Sequence, residues 1–221
     1  PYLRKRFNLQ RQVVRYKVLR ACGLGESAIG LQIKDLMRES RNPSVGTLAS
    51  VGDVKIRITA KANNHEEAST LIQKMEQEIR NRLGILIYGV DSETLHGNIV
   101  KELERLGLNL SVVETFTAGT ITQKLASTNS PSFAQGIVLP FSSSQMRFLN
   151  MTDEEFNALS KEPKKLTDIL ANKVREEFKT DLGLAMFGKI AEEQGKGDYK
   201  IETFYSLSTQ SGVENLGYPL G

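Results

Sequence analysis

The sequence holds a single cysteine, Cys22, and only two histidines among its 221 residues. One cysteine cannot form an intrachain disulfide or a multi-cysteine metal site, and it suits a reducing compartment. The histidines, His65 and His96, have no further ligand at a spacing typical of zinc sites, so a surface or helix-capping role is the simpler interpretation. We therefore expect a cytoplasmic protein without a bound metal or cofactor.

Long apolar runs and dense blocks of one charge are missing as well. No apolar run approaches the roughly 18 residues of a membrane-spanning helix, and no signal-peptide pattern is seen. The formal net charge is only +3. This balance predicts neither membrane association nor nucleic-acid binding from charge alone. The apolar content of 39% is enough for one large or two small globular domains.

Residues 13–84 predict a small α+β module, because strand and helix periodicities follow one another along them. In residues 13–21, apolar and basic residues alternate as in a half-buried strand. Asn63 or Asn64 is a suitable N-cap for a long helix that ends at Leu83-Gly84. The predicted elements are a strand at 13–21, a helix from Ser27 to near Asn42-Pro43, strands at 45–51 and 53–60 joined at Gly52-Asp53, and a helix ending at residue 83.

Residues 85–210 predict a second, α/β domain that follows almost without a linker. A capping box at Thr152 marks the start of one of its helices. The tail, residues 211–221, is polar and glycine-rich and is expected to be frayed. The predicted elements are a strand at 85–90, a helix capped by Asp91 or Ser92, a strand at 110–113, a helix from Thr152, a helix at 166–178, and strands at 182–187 and 200–209.

The segment from Leu108 to Leu125 carries the candidate site. Its short buried strand turns sharply through residues 114–119 and runs directly into a helix with small and β-branched residues in its first turns. The free N–H groups and the dipole at a helix start favour an anion or a developing oxyanion. A hydroxyl at Thr115 or Thr117 is therefore a candidate nucleophile or phosphate contact. The alternative is that the hydroxyl only caps the helix.

Residues 114–119, E-T-F-T-A-G, resemble the E-S-C-T-G-G segment of the CinA C-terminal domain, a family that includes the nicotinamide mononucleotide deamidases. Residues 19–27, L-R-A-C-G-L-G-E-S, resemble the opening of the KH-like middle module of CinA proteins. The resemblance implies an α+β KH-like module followed by an α/β/α sandwich domain, in a homo-oligomer. It also implies a missing N-terminal molybdopterin-binding-like domain, with residues 1–12 as an extended lead-in.

The resemblance also implies roles for individual residues. Thr115 takes the position of the reactive serine, with Glu114 and Thr117 beside it. A pyridine nucleotide is the implied ligand. Residues 183–193 lie in the place of a family loop that helps to hold the nucleotide, and the implied substrate contacts are Gly119, Gly188 and Lys189.

Several motif positions carry other residues than the family pattern. Phe116 replaces the family's Cys, and Ala118 replaces its first Gly. An added Cβ narrows the site at a position where glycine serves either a backbone with φ > 0 or close contact with the substrate. Gln145 falls at the position of the family's Lys, and Pro140 or Phe141 at that of its Tyr. None of these three side chains can accept a proton. General-base assistance is typically worth about a hundred- to ten-thousand-fold in rate.

We therefore expect the second domain to be a degenerate amidohydrolase that serves as a scaffold or oligomerisation element. One alternative is an active nicotinamide mononucleotide deamidase that uses Thr115. Another is an RNA-binding KH module. KH domains clamp RNA with a GxxG loop, and no two glycines of this sequence have that spacing, so a nucleic-acid partner is not expected.

Overall fold

The structure is a computed structural model that describes residues 12–50, 52–195 and 198–216, without the side chains of residues 189–201. The chain divides into two compact units between Asn98 and Ile99, within helix α4 (Leu95–Leu106). The elements before α4 are β1 (Val13–Ala21), α1 (Glu26–Gln32), α2 (Lys34–Glu39), β2 (Ser44–Ser50), β3 (Asp53–Ala62), α3 (His65–Leu83), a 3₁₀ turn (Gly84–Leu86) and β4 (Ile87–Val90). Those after it are β5 (Leu110–Glu114), α5 (Thr120–Ala126), β6 (Phe133–Val138), α6 (Ser142–Leu149), α7 (Asp153–Leu159), α8 (Pro163–Glu177), β7 (Leu182–Gly195), β8 (Asp198–Thr209) and β9 (Gly212–Leu216).

The first unit is an antiparallel sheet in the order β2-β3-β1-β4, with α1, α2 and α3 packed on one face. Successive residues of a strand face opposite sides of the sheet. Val54, Ile56 and Ile58 of β3 therefore share the buried face. Helix α3 is capped by Asn64, whose Oδ1 accepts the Glu67 N–H at 2.8 Å, as the sequence predicts.

Two elements of the first unit differ from the sequence prediction. The helix expected from Ser27 is split at Ile33, whose φ of −119° leaves the helical range while its side chain is fully buried. The strand expected to open the second domain is β4, and it pairs antiparallel with β1 in the first sheet. An apolar run predicts a strand, but contacts distant in sequence decide which sheet it joins. Residues 87–90 therefore belong to the first unit, beyond the boundary expected after residue 84.

The second unit is a five-stranded sheet between two helical layers, in the order β6-β5-β7-β8-β9. Strands β6, β5 and β7 are parallel, while β8 and β9 are antiparallel to their neighbours. Val113 and Ala185 pack with α7 and α8, whereas Val112 and Met186 pack with α4 and α5 on the other face. This arrangement is the α/β/α sandwich that the family resemblance implies.

The C-terminal strands extend further than expected. β7 continues to Gly195, through the residues expected to form a nucleotide loop, because its backbone pairs with β8 along that length. Residues 212–216, expected within a frayed tail, form β9 and pair with β8. Neither extension has a continuous apolar pattern, so periodicity does not reveal it. Residues 1–11 of the expected lead-in and 217–221 of the expected tail lie outside the described residues.

The described part of the chain contains neither a membrane-spanning helix nor a cluster of metal-ligating side chains. No helix there is both long and apolar enough to cross a membrane. No three of its His, Cys, Asp and Glu side chains are grouped so that they could hold a metal ion. His96 Nε2 lies 3.2 Å from Thr94 Oγ1, and His65 is the first residue of α3.

The close approach of α8 to β7 at Gly183 leads to a prediction about stability. A Cβ at Gly183 would lie 2.2 Å from the Ala171 carbonyl oxygen and 2.6 Å from Arg175 Cβ. Gly183→Ala should therefore lower the free energy of unfolding by about 1–3 kcal/mol, as other overpacked sites do. Urea denaturation of the two proteins measures the difference.

Gly46→Ala on β2 is the matched control, because nothing lies within 4 Å of a Cβ placed there. It should change the free energy of unfolding by less than about 0.5 kcal/mol. Equal losses in the two variants would show that crowding at Gly183 is not the cause.

Candidate functional site

β5 places the candidate residues at one edge of the second sheet. The strand is buried throughout and lies between β6 and β7. Since the three strands are parallel, their carboxyl ends meet, and Glu114 is in register with Val138 of β6 and Met186 of β7. In open α/β sheets, this edge is where ligands bind.

The turn after β5 contains two residues in the left-handed region. Ala118 has a φ of +51° and Gly119 a φ of +83°, and α5 starts directly after them at Thr120. Glycine adopts this conformation freely, whereas alanine is strained there by about 1 kcal/mol or more. A Cβ on Gly119 would lie 3.2 Å from Val138 Cγ2, so glycine also allows the turn to approach β6.

Glu114 is fully buried, and its carboxylate caps α5. It accepts hydrogen bonds from the backbone N–H of Thr122 at 2.7 Å and of Ile121 at 3.2 Å, and from the Thr117 hydroxyl. Burial alone would raise the pKa of Glu114, but these hydrogen bonds outweigh it and hold the pKa below the ordinary glutamate value. The anion at this helix start is thus the protein's own carboxylate.

Thr115 is tied to the neighbouring strand. Its side chain is buried, with 5% of the residue exposed. Both its backbone N–H and its hydroxyl donate to the Met186 carbonyl oxygen, at 3.2 Å and 3.0 Å. The single proton of this hydroxyl is therefore held by a main-chain carbonyl of β7.

Thr117 is the candidate hydroxyl that meets a carboxylate. It is half-buried and donates to Glu114, while its own carbonyl accepts the Thr120 N–H at 3.1 Å and the Thr120 hydroxyl at 2.8 Å. These bonds close the turn at both ends. Thr117 is thus part of the cap on α5 as well as a candidate reactive group.

Gly188 lies directly against the Phe116 ring. A Cβ at Gly188 would lie 2.5 Å from Phe116 Cγ and 2.7 Å from its Cδ1. Phe116 also packs with the apolar layer of α4 and α5. The space beside Gly188 is therefore filled by protein. Lys189 follows on β7, and its side chain lies outside the described residues.

Gln145 of α6 lies near the same strand end. Its Nε2 donates to the Leu139 carbonyl at 3.0 Å, and the Leu139 N–H donates to the Glu114 carbonyl at 2.8 Å. Gln145 is buried, and its Oε1 has no hydrogen-bond partner among the described residues. The side chain at the family's lysine position thus holds the main chain after β6.

Sequence reasoning identified the turn but missed three of its contacts. These are the backbone donors of α5 that reach Glu114, the hydrogen bond from Leu139, and the packing of Phe116 on Gly188. No residue type marks a backbone donor, so the first two had no signal. A glycine within a strand often marks close approach of another group, which is the signal that could have revealed the third.

Fold and site together define a class of protein: an α+β module followed by an α/β/α sandwich domain with a polar turn at the carboxyl edge of its sheet. The family model described as the damage-inducible protein CinA KH domain matches residues 16–89, and that of the CinA C-terminal domain matches residues 92–206. The chain belongs to the CinA family. The first match ends within β4, in agreement with the pairing of that strand in the first sheet.

Relatives of this chain carry the same family name. It is 33% identical over 211 residues to a CinA-like protein from Kosmotoga olearia, which covers 93% of this chain and 50% of that protein. A CinA-like protein from Dictyoglomus turgidum is 32% identical over 195 residues, covering 87% and 47%. The chain thus spans about half the length of the curated relatives it matches. Among solved structures, a competence or damage-inducible protein from Enterobacter asburiae has 20% identity and a TM-score of 0.49, covering 58% of this chain and 86% of that one.

The buried carboxylate of Glu114 leads to a prediction about stability and pH. Glu114→Gln removes the charge from three hydrogen bonds, and a hydrogen bond to a charged group is worth about 1.5–3 kcal/mol. We expect a loss of at least about 2 kcal/mol in the free energy of unfolding at neutral pH. Because the folded-state pKa is lowered, the stabilisation is present above the unfolded pKa of about 4.3 and is lost as the pH falls through the folded value.

The difference between wild type and Glu114→Gln should therefore shrink in acid, as measured by urea denaturation over a pH series. Glu202→Gln, at an exposed glutamate of β8, is the control and should change stability little at any pH. A difference that stays constant from neutral pH into strong acid would contradict the lowered pKa of Glu114.

The strained turn predicts a gain in stability for Ala118→Gly. Glycine adopts a φ of +51° without strain from a Cβ, and this outweighs its greater freedom in the unfolded chain. We expect the free energy of unfolding to rise by about 0.5–1 kcal/mol. Ala158→Gly, at an exposed position of α7, is the control and should lose about 0.5–1 kcal/mol. Thermal unfolding of the two variants and of wild type measures these changes in stability. A loss of stability in both variants would contradict strain at Ala118.

Proposed function

We propose that the second domain has amidohydrolase ancestry but no longer hydrolyses nicotinamide mononucleotide. In this proposal it serves as a scaffold or oligomerisation element for the rest of a longer CinA-like protein. The observation that carries the proposal is the hydrogen bond of 3.0 Å from the Thr115 hydroxyl to the Met186 carbonyl oxygen.

The bonding of Thr115 supports the loss of a nucleophile. A threonine hydroxyl attacks an amide only when a neighbouring base takes its proton. The proton of Thr115 is donated to a main-chain carbonyl, which is not a base at ordinary pH. Burial leaves little of this residue open to a substrate carbonyl.

The state of Glu114 supports the loss of a base. A general base works best when its pKa lies near the operating pH. The pKa of Glu114 is held below the ordinary glutamate value, and its oxygens already accept three hydrogen bonds. Taking up a proton would weaken the cap of α5. This carboxylate is therefore suited to holding the helix rather than to moving protons.

The packing of Phe116 supports the loss of a ligand pocket. The ring lies against Gly188, one of the positions at which the family resemblance implies a substrate contact. A nucleotide at that position would have to displace the ring from the apolar layer with which it packs. Displacing a packed aromatic side chain exposes its apolar surface to water, which opposes binding.

One contact favours a second candidate, an amidase that uses Thr117. Its hydroxyl donates to the Glu114 carboxylate, which is the arrangement of a nucleophile and its base. Thr117 is also less buried than Thr115. An experiment on this domain must therefore test the two threonines separately.

The test is the release of ammonia when the purified chain is incubated with nicotinamide mononucleotide. We expect wild type to release no more ammonia than a heat-denatured sample does, because no described base can take the proton of Thr115. Thr115→Ala and Thr117→Ala should give the same result. Thr128→Ala, just after α5, is the matched control, because among the described residues the Thr128 hydroxyl donates only to the Leu125 carbonyl.

Two outcomes would overturn the proposal. Ammonia release that Thr115→Ala abolishes and Thr128→Ala preserves would identify an active deamidase that uses Thr115. Release that Thr117→Ala alone abolishes would establish the second candidate instead. Circular dichroism of each variant would show that a loss of release is not a loss of fold.

A further inference from the structure

β6 forms one edge of the second sheet. Of the strands that the structure describes, it pairs with β5 alone, in regular register from Gln135 to Val138. The Leu139 N–H donates to Glu114 on β5, and the main-chain groups of successive residues point to opposite sides of a strand. Those of Gly136 and Val138 therefore point away from β5. The Gly136 carbonyl accordingly accepts the side-chain amide of Gln135 at 3.3 Å.

This edge has a bulge at Ala134, but its regular part from Gln135 to Val138 lacks the charged side chains that ordinarily protect an edge. Natural sheets block open edges with charged side chains, with proline or with bulges. Residues 125–146 contain no Asp, Glu, Lys or Arg, although 25% of the chain is charged. Val138 is 40% exposed, and Phe141, just beyond the strand, is 70% exposed. The regular part of β6 is thus uncharged and free of proline, and no strand that the structure describes pairs with its outer side.

The opposite edge of the sheet differs. β9 carries an exposed glutamate, Glu214. Its Asn215 is held by α8, because Asn215 Nδ2 donates to Asp168 Oδ2 at 3.1 Å. A strand approaching β9 would therefore meet a charge and a side chain that is already bonded. Of the two edges of this sheet, the one at β6 is therefore the less protected.

We propose that β6 is an interface between two copies of this chain, which pair their β6 strands antiparallel across a two-fold axis. In such a pair each residue lies opposite the same residue or a near neighbour, so any charge would meet its like in the partner. An uncharged edge avoids that repulsion. A partner recognised by charge, such as a nucleic acid or a basic or acidic protein, would find no complementary charge here. The inference rests on the oligomerisation part of the proposed function.

The first experiment measures the mass of the full chain by sedimentation equilibrium over a range of concentrations. Wild type should associate to twice its mass of 24.6 kDa. Val138→Pro should weaken this association by at least about tenfold, because it removes two symmetry-related hydrogen bonds. An edge strand tolerates proline where the N–H points outward. Val138→Thr keeps the N–H and the branched shape, so it should associate like wild type.

A second set of variants tests the two-fold symmetry. Gln135→Lys and Gln135→Glu each bring like charges together, so each should associate more weakly than wild type. An equal mixture of the two should recover association, since opposite charges then meet. Gln210→Lys, at an exposed position between β8 and β9, is the control and should leave the mass unchanged. Thermal unfolding would show that every variant is folded.

A monomeric wild type would overturn the inference, as would an oligomer unchanged by Val138→Pro and by both charged variants at Gln135. The proposed loss of amidase activity is tested by a different measurement, the release of ammonia. Ammonia release that depends on Thr115 or Thr117 would overturn that proposal whether or not β6 pairs. An oligomer whose mass is unchanged by the β6 variants would contradict this inference while leaving the scaffold proposal in place.

Discussion

A carboxylate with no exposed surface holds the edge of the second sheet together. Such a charge is stable away from water only when its oxygens are hydrogen-bonded, and Glu114 meets this condition with the Ile121 and Thr122 backbone N–H groups of α5 and the Thr117 hydroxyl. The strand end, the turn and the helix start are therefore one unit. Every candidate residue between Glu114 and Gly119 takes its position from that unit.

This constraint explains which parts of the family pattern the chain keeps. Against E-S-C-T-G-G, the segment E-T-F-T-A-G retains the residues at 114, 117 and 119 and changes those at 115, 116 and 118. The retained Glu114, Thr117 and Gly119 form the cap and the left-handed turn. The changed positions include the reactive hydroxyl and the residue now packed on Gly188. The retained positions are thus those that hold the turn, as the proposed scaffold role requires.

Much of the fold could be predicted because local signals agreed with it. Alternation identified β1 and β3, and the cap at Asn64 and the glycine at position 84 bounded α3. The sequence could not assign β4 to the first sheet or reveal the extensions at β7 and β9. Those elements depend on backbone pairing with β1 and β8, which places few demands on side-chain pattern.

The candidate site shows the same division between features that local sequence signals predict and features that depend on contacts distant in sequence. Glycine, threonine and strand periodicity predicted a turn whose helix start attracts an anion, and that much follows from backbone geometry alone. Which anion occupies the start of α5 depends on how buried the position is and on which side chains can reach it. Glu114 is covalently fixed beside α5, so its effective concentration exceeds that of any free ligand. A helix start occupied from within the chain has little attraction left for a phosphate.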